Sequence, residues 1–170
     1  MRPSGDRRSC RRVPPLHPHW EEPGGTYFIT FVLKRPPVVD LTKPEVAQLM
    51  VGALLHFDCE RYWLYDYTLM PDHVHAILKP IDTDGTSEPL HAITHSLKSW
   101  TANQINELLG REGAVWQQET HDHIIRNQAD YLEKAGYIYD NPYDKHLVPF
   151  GEEWRGGVVG DQILRSAVAA

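Results

Sequence analysis

Cysteine is scarce in this chain. Cys10 and Cys59 are the only two among 170 residues, too few for a disulfide framework, and they are expected to sit in a reducing, cytoplasmic setting. Long apolar runs are absent as well. No stretch reaches transmembrane length, and the arginine-rich N-terminus lacks the apolar segment that a secretory signal needs behind it. There is no internal repeat and no sign of a second domain. Positive charge is also in short supply. The chain carries 17 Lys and Arg against 23 Asp and Glu, a net of −6, which argues against a protein that coats nucleic acid indiscriminately. The charge is uneven, however. Residues 1–12 hold five arginines (Arg2, Arg7, Arg8, Arg11, Arg12) against Asp6, a net of +4, which leaves −10 for the rest. An acidic body disfavours general phosphate binding. It leaves room for a small basic groove, or for a site where a metal supplies the positive charge.

At 41% hydrophobic and 24% charged residues, the chain has the composition of one globular domain. Residues 1–25 are rich in Arg, Pro, His and Gly and read as a flexible basic arm ending at Gly24-Gly25. Residues 26–150 read as the single domain, and 151–170 as a tail with a short helix from Asp161 to Val168.

Within the domain, Thr26 to Leu33 alternates as a strand, with Tyr27, Ile29, Phe31 and Leu33 on one face. Thr42 to Phe57 reads as a helix opened by a Thr42/Glu45 capping box. Its apolar stripe is Val46, Leu49, Met50, Ala53, Leu54 and Phe57. Tyr62 to Met70 is an aromatic strand whose face could stack bases but is expected to pack. Pro71-Asp72 then turns it into a strand from His73. Ile81 to Glu88 reads as a polar loop. Pro89 to Leu109 is a long helix with Leu90, Ile93, Leu97, Trp100, Ile105 and Leu108 inward, closed by Gly110. His121 to Arg126 is a fourth strand. Asn127 caps a last helix that should stop at about Asp140, before Asn141-Pro142. The order β-α-β-β-α-β is a split βαβ, ferredoxin-like or RRM-like unit of the α+β class. It has an antiparallel sheet with helices on one face, and the final helix should lie near the other.

Three His-x-His pairs punctuate the chain. His73 and His75 share one face of their strand with Ile77, while Val74, Ala76 and Leu78 face a core. Two neutral imidazoles at this spacing can converge on one metal ion. His121 and His123 also share a face, so spacing alone does not decide between the pairs. His17-Pro18-His19 sits in the arm. Tyr137 and Asn141, four apart on the last helix, lie on one side of it.

In this order and with these gaps, the motifs are familiar from about Pro15 to Val148. They are Pro15-x-His17-Pro18-His19-Trp20 leading to Tyr27-Phe28-Ile29-Thr30-Phe31, Met70-Pro71-Asp72-His73-Val74-His75, Ser96-Leu97-Lys98-Ser99-Trp100-Thr101-Ala102, Val115-Trp116-Gln117, Asp122-His123-Ile124-Ile125-Arg126, and Tyr137-Ile138-Tyr139-Asp140-Asn141-Pro142. The chain resembles the single-tyrosine HUH transposases, in particular their REP-associated group. The resemblance implies cleavage of single-stranded or hairpin-bearing DNA and strand transfer through a 5′-phosphotyrosine. His73 and His75 would hold Mg²⁺ or Mn²⁺, Tyr137 would be the nucleophile and Asn141 a third ligand, with His123, Gln117 or Glu119 as alternatives. Lys98 and Arg126 match recurring basic positions and would touch phosphates, while Trp116 is expected to pack. Asp72 departs from the pattern, which commonly has Asn there. The resemblance further implies a nucleoid-associated protein, either a monomer or a dimer that exchanges the tyrosine helix.

Two other readings stay open: a domesticated hairpin or single-strand binder that no longer cleaves, and a small metal hydrolase or metal sensor using His73, His75 and a carboxylate such as Asp72.

Overall fold

The structure, a computed structural model, describes residues 24–154. The expected arm, including His17-Pro18-His19, and the tail helix at 161–168 lie outside the described residues. The elements are β1 (Thr26–Val32), α1 (Pro44–His56), β2 (Tyr62–Leu69), β3 (His73–Pro80), β4 (Asp82–Thr83), β5 (Thr86–Ser87), α2 (Leu90–Leu109), β6 (His121–Ile125) and α3 (Gln128–Asp144). β2, β3, β1 and β6, in that order, form one antiparallel sheet. This is the α+β, ferredoxin-like architecture expected from the element order.

Strand alternation assigns the two faces of the sheet. Ile29, Phe31 and Leu33 on one side of β1, with Val74, Ala76 and Leu78 of β3, bury against Val46, Met50, Ala53 and Leu54 of α1 and Ile93, Leu97 and Ile105 of α2. Each such side chain contributes about 1.5–3 kcal/mol on leaving water. On the opposite face a smaller core joins Tyr65, Ile77 and Ile125 to Tyr131, Ala135 and Ile138 of α3. Thus α1 and α2 cover one face, and α3 lies across the face that carries His73 and His75. The aromatic strand packs rather than offering a stacking surface. Tyr62, Tyr65 and Tyr67 are all buried, and the Tyr62 hydroxyl donates to the Leu54 carbonyl at 2.6 Å.

Four local expectations are corrected. α1 starts at Pro44 after Lys43, with no side-chain cap, because the Thr42 hydroxyl donates to Asp40 instead (2.6 Å). Trp100 and Leu108 of α2 are each 49% exposed. The buried stripe runs through Ile93, Leu97, Thr101 and Ile105, and Thr101 tolerates burial because its hydroxyl donates to the Leu97 carbonyl (2.7 Å). The polar loop contains the β4–β5 hairpin. Its Asp84-Gly85 turn has positive φ at both residues (56° and 79°), the geometry that an Asp-Gly pair favours. Finally, α3 runs through Asn141-Pro142 to Asp144. Proline forfeits one amide donor there, but both residues are buried, and packing holds the last turn in the helix.

One buried bond ties α3 to the sheet. The Tyr131 hydroxyl donates to the Asp66 carboxylate at 2.6 Å. Burial, and then the Asp66 charge, push this phenol well above its ordinary pKa. Tyr131→Phe takes a donor from a buried carboxylate and is expected to lower stability by about 1.5–3 kcal/mol. Chemical denaturation measures this, and an unchanged midpoint would contradict it.

Candidate nucleic-acid cleavage site

β3 places His73 and His75 on one face, two residues apart, with ring centroids 4.6 Å apart. The neighbouring strands complete the row around His75, with Thr30 of β1 and Thr68 of β2 opposite it. Thr30 is also opposite His121 of β6. Both imidazoles are held through Nδ1. The His73 nitrogen lies 2.7 Å from the Asp72 carboxylate, and the His75 nitrogen 2.7 Å from the Thr30 hydroxyl. The Phe28 ring stacks on His75 at 5.2 Å. Burial, and then the charge of His73, push the pKa of His75 down to about 3, so it is a neutral imidazole at physiological pH.

α3 brings Tyr137 to this pair in the same chain. Its ring packs edge-on to His75, 5.2 Å between centroids, and edge-on to Phe28 at 6.0 Å. Tyr137 is 48% exposed, so the phenol borders the histidines yet stays open to solvent. An open cavity of about 650 Å³ lies here, lined by His75, Thr30, His121, Tyr137, Asp140 and Asp144 among others. One turn after Tyr137, Asn141 is buried at 3% exposure. Its position in an unbroken helix follows from the extension of α3 past Pro142.

The donor set can be weighed against a divalent ion. Two side-chain atoms in this part of the fold are buried without a hydrogen-bond partner, His75 Nε2 and Asn141 Oδ1, and such atoms in a folded interior call for an explanation. A cation bound to lone pairs provides one. Among the described residues no group of three or more His, Cys, Asp or Glu could hold a metal by itself. An ion would therefore rest on His73, His75 and the Asn141 amide oxygen, with substrate oxygens and water completing its shell. On this chemistry the residues fit the group.

The other expected residues fall elsewhere. The Lys98 ammonium donates to the carbonyls of Gln118 and Glu119 and lies 3.2 Å from the Thr120 hydroxyl, so it fastens the segment leading into β6 rather than standing free for phosphate. Partial burial lowers its pKa. Arg126 is exposed between β6 and α3 and does not line the cavity. Of the alternative third ligands, His123 is engaged by Asp130 (3.1 Å) and Gln117 donates to the Leu33 carbonyl (3.2 Å). Glu119 is exposed. Trp116 packs on Phe31 and donates to Thr101 (3.0 Å), as expected. His121 had no role assigned from sequence, yet it borders the cavity. The signal for it was the shared partner Thr30, which only the sheet register reveals.

No protein-family model matches the chain. It is 27% identical over 133 residues to the REP-associated tyrosine transposase of Escherichia coli, covering 77% of this chain and 74% of that protein. It is also 27% identical over 145 residues to a Haemophilus influenzae protein provisionally named as such a transposase, covering 77% of each. Over 77% of its length this chain is thus similar to proteins named as REP-associated tyrosine transposases. The structure of a REP-associated tyrosine transposase bound to a REP hairpin superposes on it with a TM-score of 0.64 at 22% identity, over 92% of this chain and 86% of that one. At that identity the superposition establishes a shared fold. No helix of the described residues is long and apolar enough to cross a membrane.

Proposed function

We propose that this chain cleaves and rejoins single-stranded DNA next to a hairpin, through a covalent 5′-phosphotyrosine on Tyr137. The observation that carries the reading is the Tyr137 ring packed against His75, itself beside His73, within one chain. Tyr137 supplies an oxygen nucleophile that remains open to solvent. In the cleavage step its hydroxyl loses a proton and attacks phosphorus. A phosphotyrosine bond forms, the bond from phosphorus to the 3′-oxygen breaks, and that oxygen takes up a proton. Because the phosphodiester energy is kept in the phosphotyrosine, a second 3′-hydroxyl can reverse the step and join a new strand.

His73 and His75, with the buried, unpartnered Asn141 Oδ1 as third ligand, would hold the divalent ion, which when bound supplies Lewis-acid polarisation of the scissile phosphate. Electrostatics favour such an arrangement. The cavity is bordered by Glu133, Asp140 and Asp144 and by Lys134, which pairs with Glu133; Asp140 and Asp144 repel a phosphate unless a cation stands between them. Imidazole ligands suit Mn²⁺ better than Mg²⁺, so Mn²⁺ is expected to support the higher yield. Phe28 and Thr30 keep His75 oriented toward the cavity and shielded from water on its other side.

The test is incubation with a hairpin oligonucleotide carrying single-stranded flanks. A covalent adduct is expected in Mn²⁺ or Mg²⁺, disappearing with a chelator, with the nucleotide mapped by mass spectrometry to Tyr137. Hairpin binding without any adduct, whatever the divalent ion, would favour the non-cleaving binder instead.

A further inference from the structure

We propose that Asp72 is a positioning residue that locks His73 in the Nδ1–H tautomer and so commits its Nε2 lone pair to the site. The inference rests on the metal-holding role proposed for His73 and deepens it. The hydrogen bond itself is direct: His73 Nδ1 and Asp72 Oδ1 are 2.7 Å apart. An ionised carboxylate can only accept. In the neutral imidazole the hydrogen therefore sits on Nδ1, and Nε2 carries the lone pair.

The second imidazole is held differently. His75 Nδ1 is paired to the Thr30 hydroxyl at 2.7 Å, and a hydroxyl can donate or accept, so Thr30 orients the His75 ring without dictating its tautomer. The two histidines are thus unequal. His73 is fixed by charge, and it is the less buried of the two, with a side chain 19% exposed. His75 is fixed by burial and by its contacts with Phe28 and Tyr137. Among the described residues a cationic side chain near Asp72 is Arg35, at 3.8 Å and 75% exposed, too loose and too solvated to compete for the carboxylate. A carboxylate behind a ligating imidazole both sets its orientation and raises its basicity, and losing such a partner typically weakens metal binding by ~10–100-fold. Asp72 thus acts on the site through His73, with its Oδ1 turned onto the ring beside it.

The experiment has two arms on the full chain. In metal-free protein, long-range proton–nitrogen NMR reads the His73 tautomer directly. Wild type is expected to show the Nδ1–H form, Asp72→Asn to keep it because the amide oxygen still accepts, and Asp72→Ala to move toward the Nε2–H form that free imidazole prefers. In the second arm, Mn²⁺ alone is titrated and followed by calorimetry. Affinity should fall in the order Asp, Asn, Ala, with ~10–100-fold lost by the alanine variant. An unchanged tautomer in a folded Asp72→Ala protein would overturn the proposal. So would an unchanged Mn²⁺ affinity in that variant. If wild type binds no Mn²⁺ at all, the metal-holding reading fails, and the tautomer arm still decides the role of Asp72.

Discussion

Tyr137→Phe is expected to abolish covalent attachment to a hairpin oligonucleotide completely while leaving hairpin affinity within about tenfold, or ~1.4 kcal/mol. The substitution removes one oxygen and nothing else. The ring keeps its edge contacts with His75 and Phe28, and α3 keeps its buried side through Tyr131, Ala135 and Ile138. With 48% of the residue exposed, the hydroxyl is not needed to fill a core. Stability should therefore change little, and loss of attachment reports on chemistry alone. Denaturing gels read the adduct and gel shift reads binding. A divalent-dependent adduct formed by the Phe variant would show that another tyrosine, such as Tyr139 or Tyr143, is the nucleophile.

The second large effect is expected at His75. His75→Ala should reduce adduct yield by more than ~100-fold, beyond the range typical of residues that only support a ligand. Two causes combine. The substitution deletes the imidazole whose Nε2 is buried and unpartnered, and it leaves Asp140 and Asp144 facing the phosphate with less to hold a neutralising cation. Raising Mn²⁺ should restore only part of the yield. Because His75 is buried between Phe28 and Tyr137, a thermal melt must accompany the assay. Near-wild-type yield from a folded His75→Ala protein would remove the histidine pair from the mechanism.

Much of this arrangement was legible in residue order. Period-two alternation put Val74, Ala76 and Leu78 in one core and His73 and His75 on the opposite face, and the element order implied the sheet. The misses share a physical cause: local rules were applied where tertiary packing decides. Proline at 142 read as a stop, but burial of Asn141 and Pro142 carries the helix through it, and this places Asn141 in a rigid turn rather than at a frayed end. Trp100 read as core because it is apolar, yet Thr101 takes the inward position with its hydroxyl satisfied within the helix. Lys98 matched a basic motif position, but what its ammonium reaches depends on the segment before β6, which lies about twenty residues away along the chain. His121 needed the β1–β6 register, which no sequence spacing encodes.

The central claim is that one chain supplies both the imidazoles and the phenol to a single phosphate. Mixing the two inactive variants, His75→Ala and Tyr137→Phe, tests it most directly. The account predicts that the mixture forms no more adduct at any ratio than His75→Ala forms alone, since neither chain holds a complete site. Restoration of covalent attachment by mixing would mean that the tyrosine reaches the histidines of a second copy, and would contradict a site built within one chain.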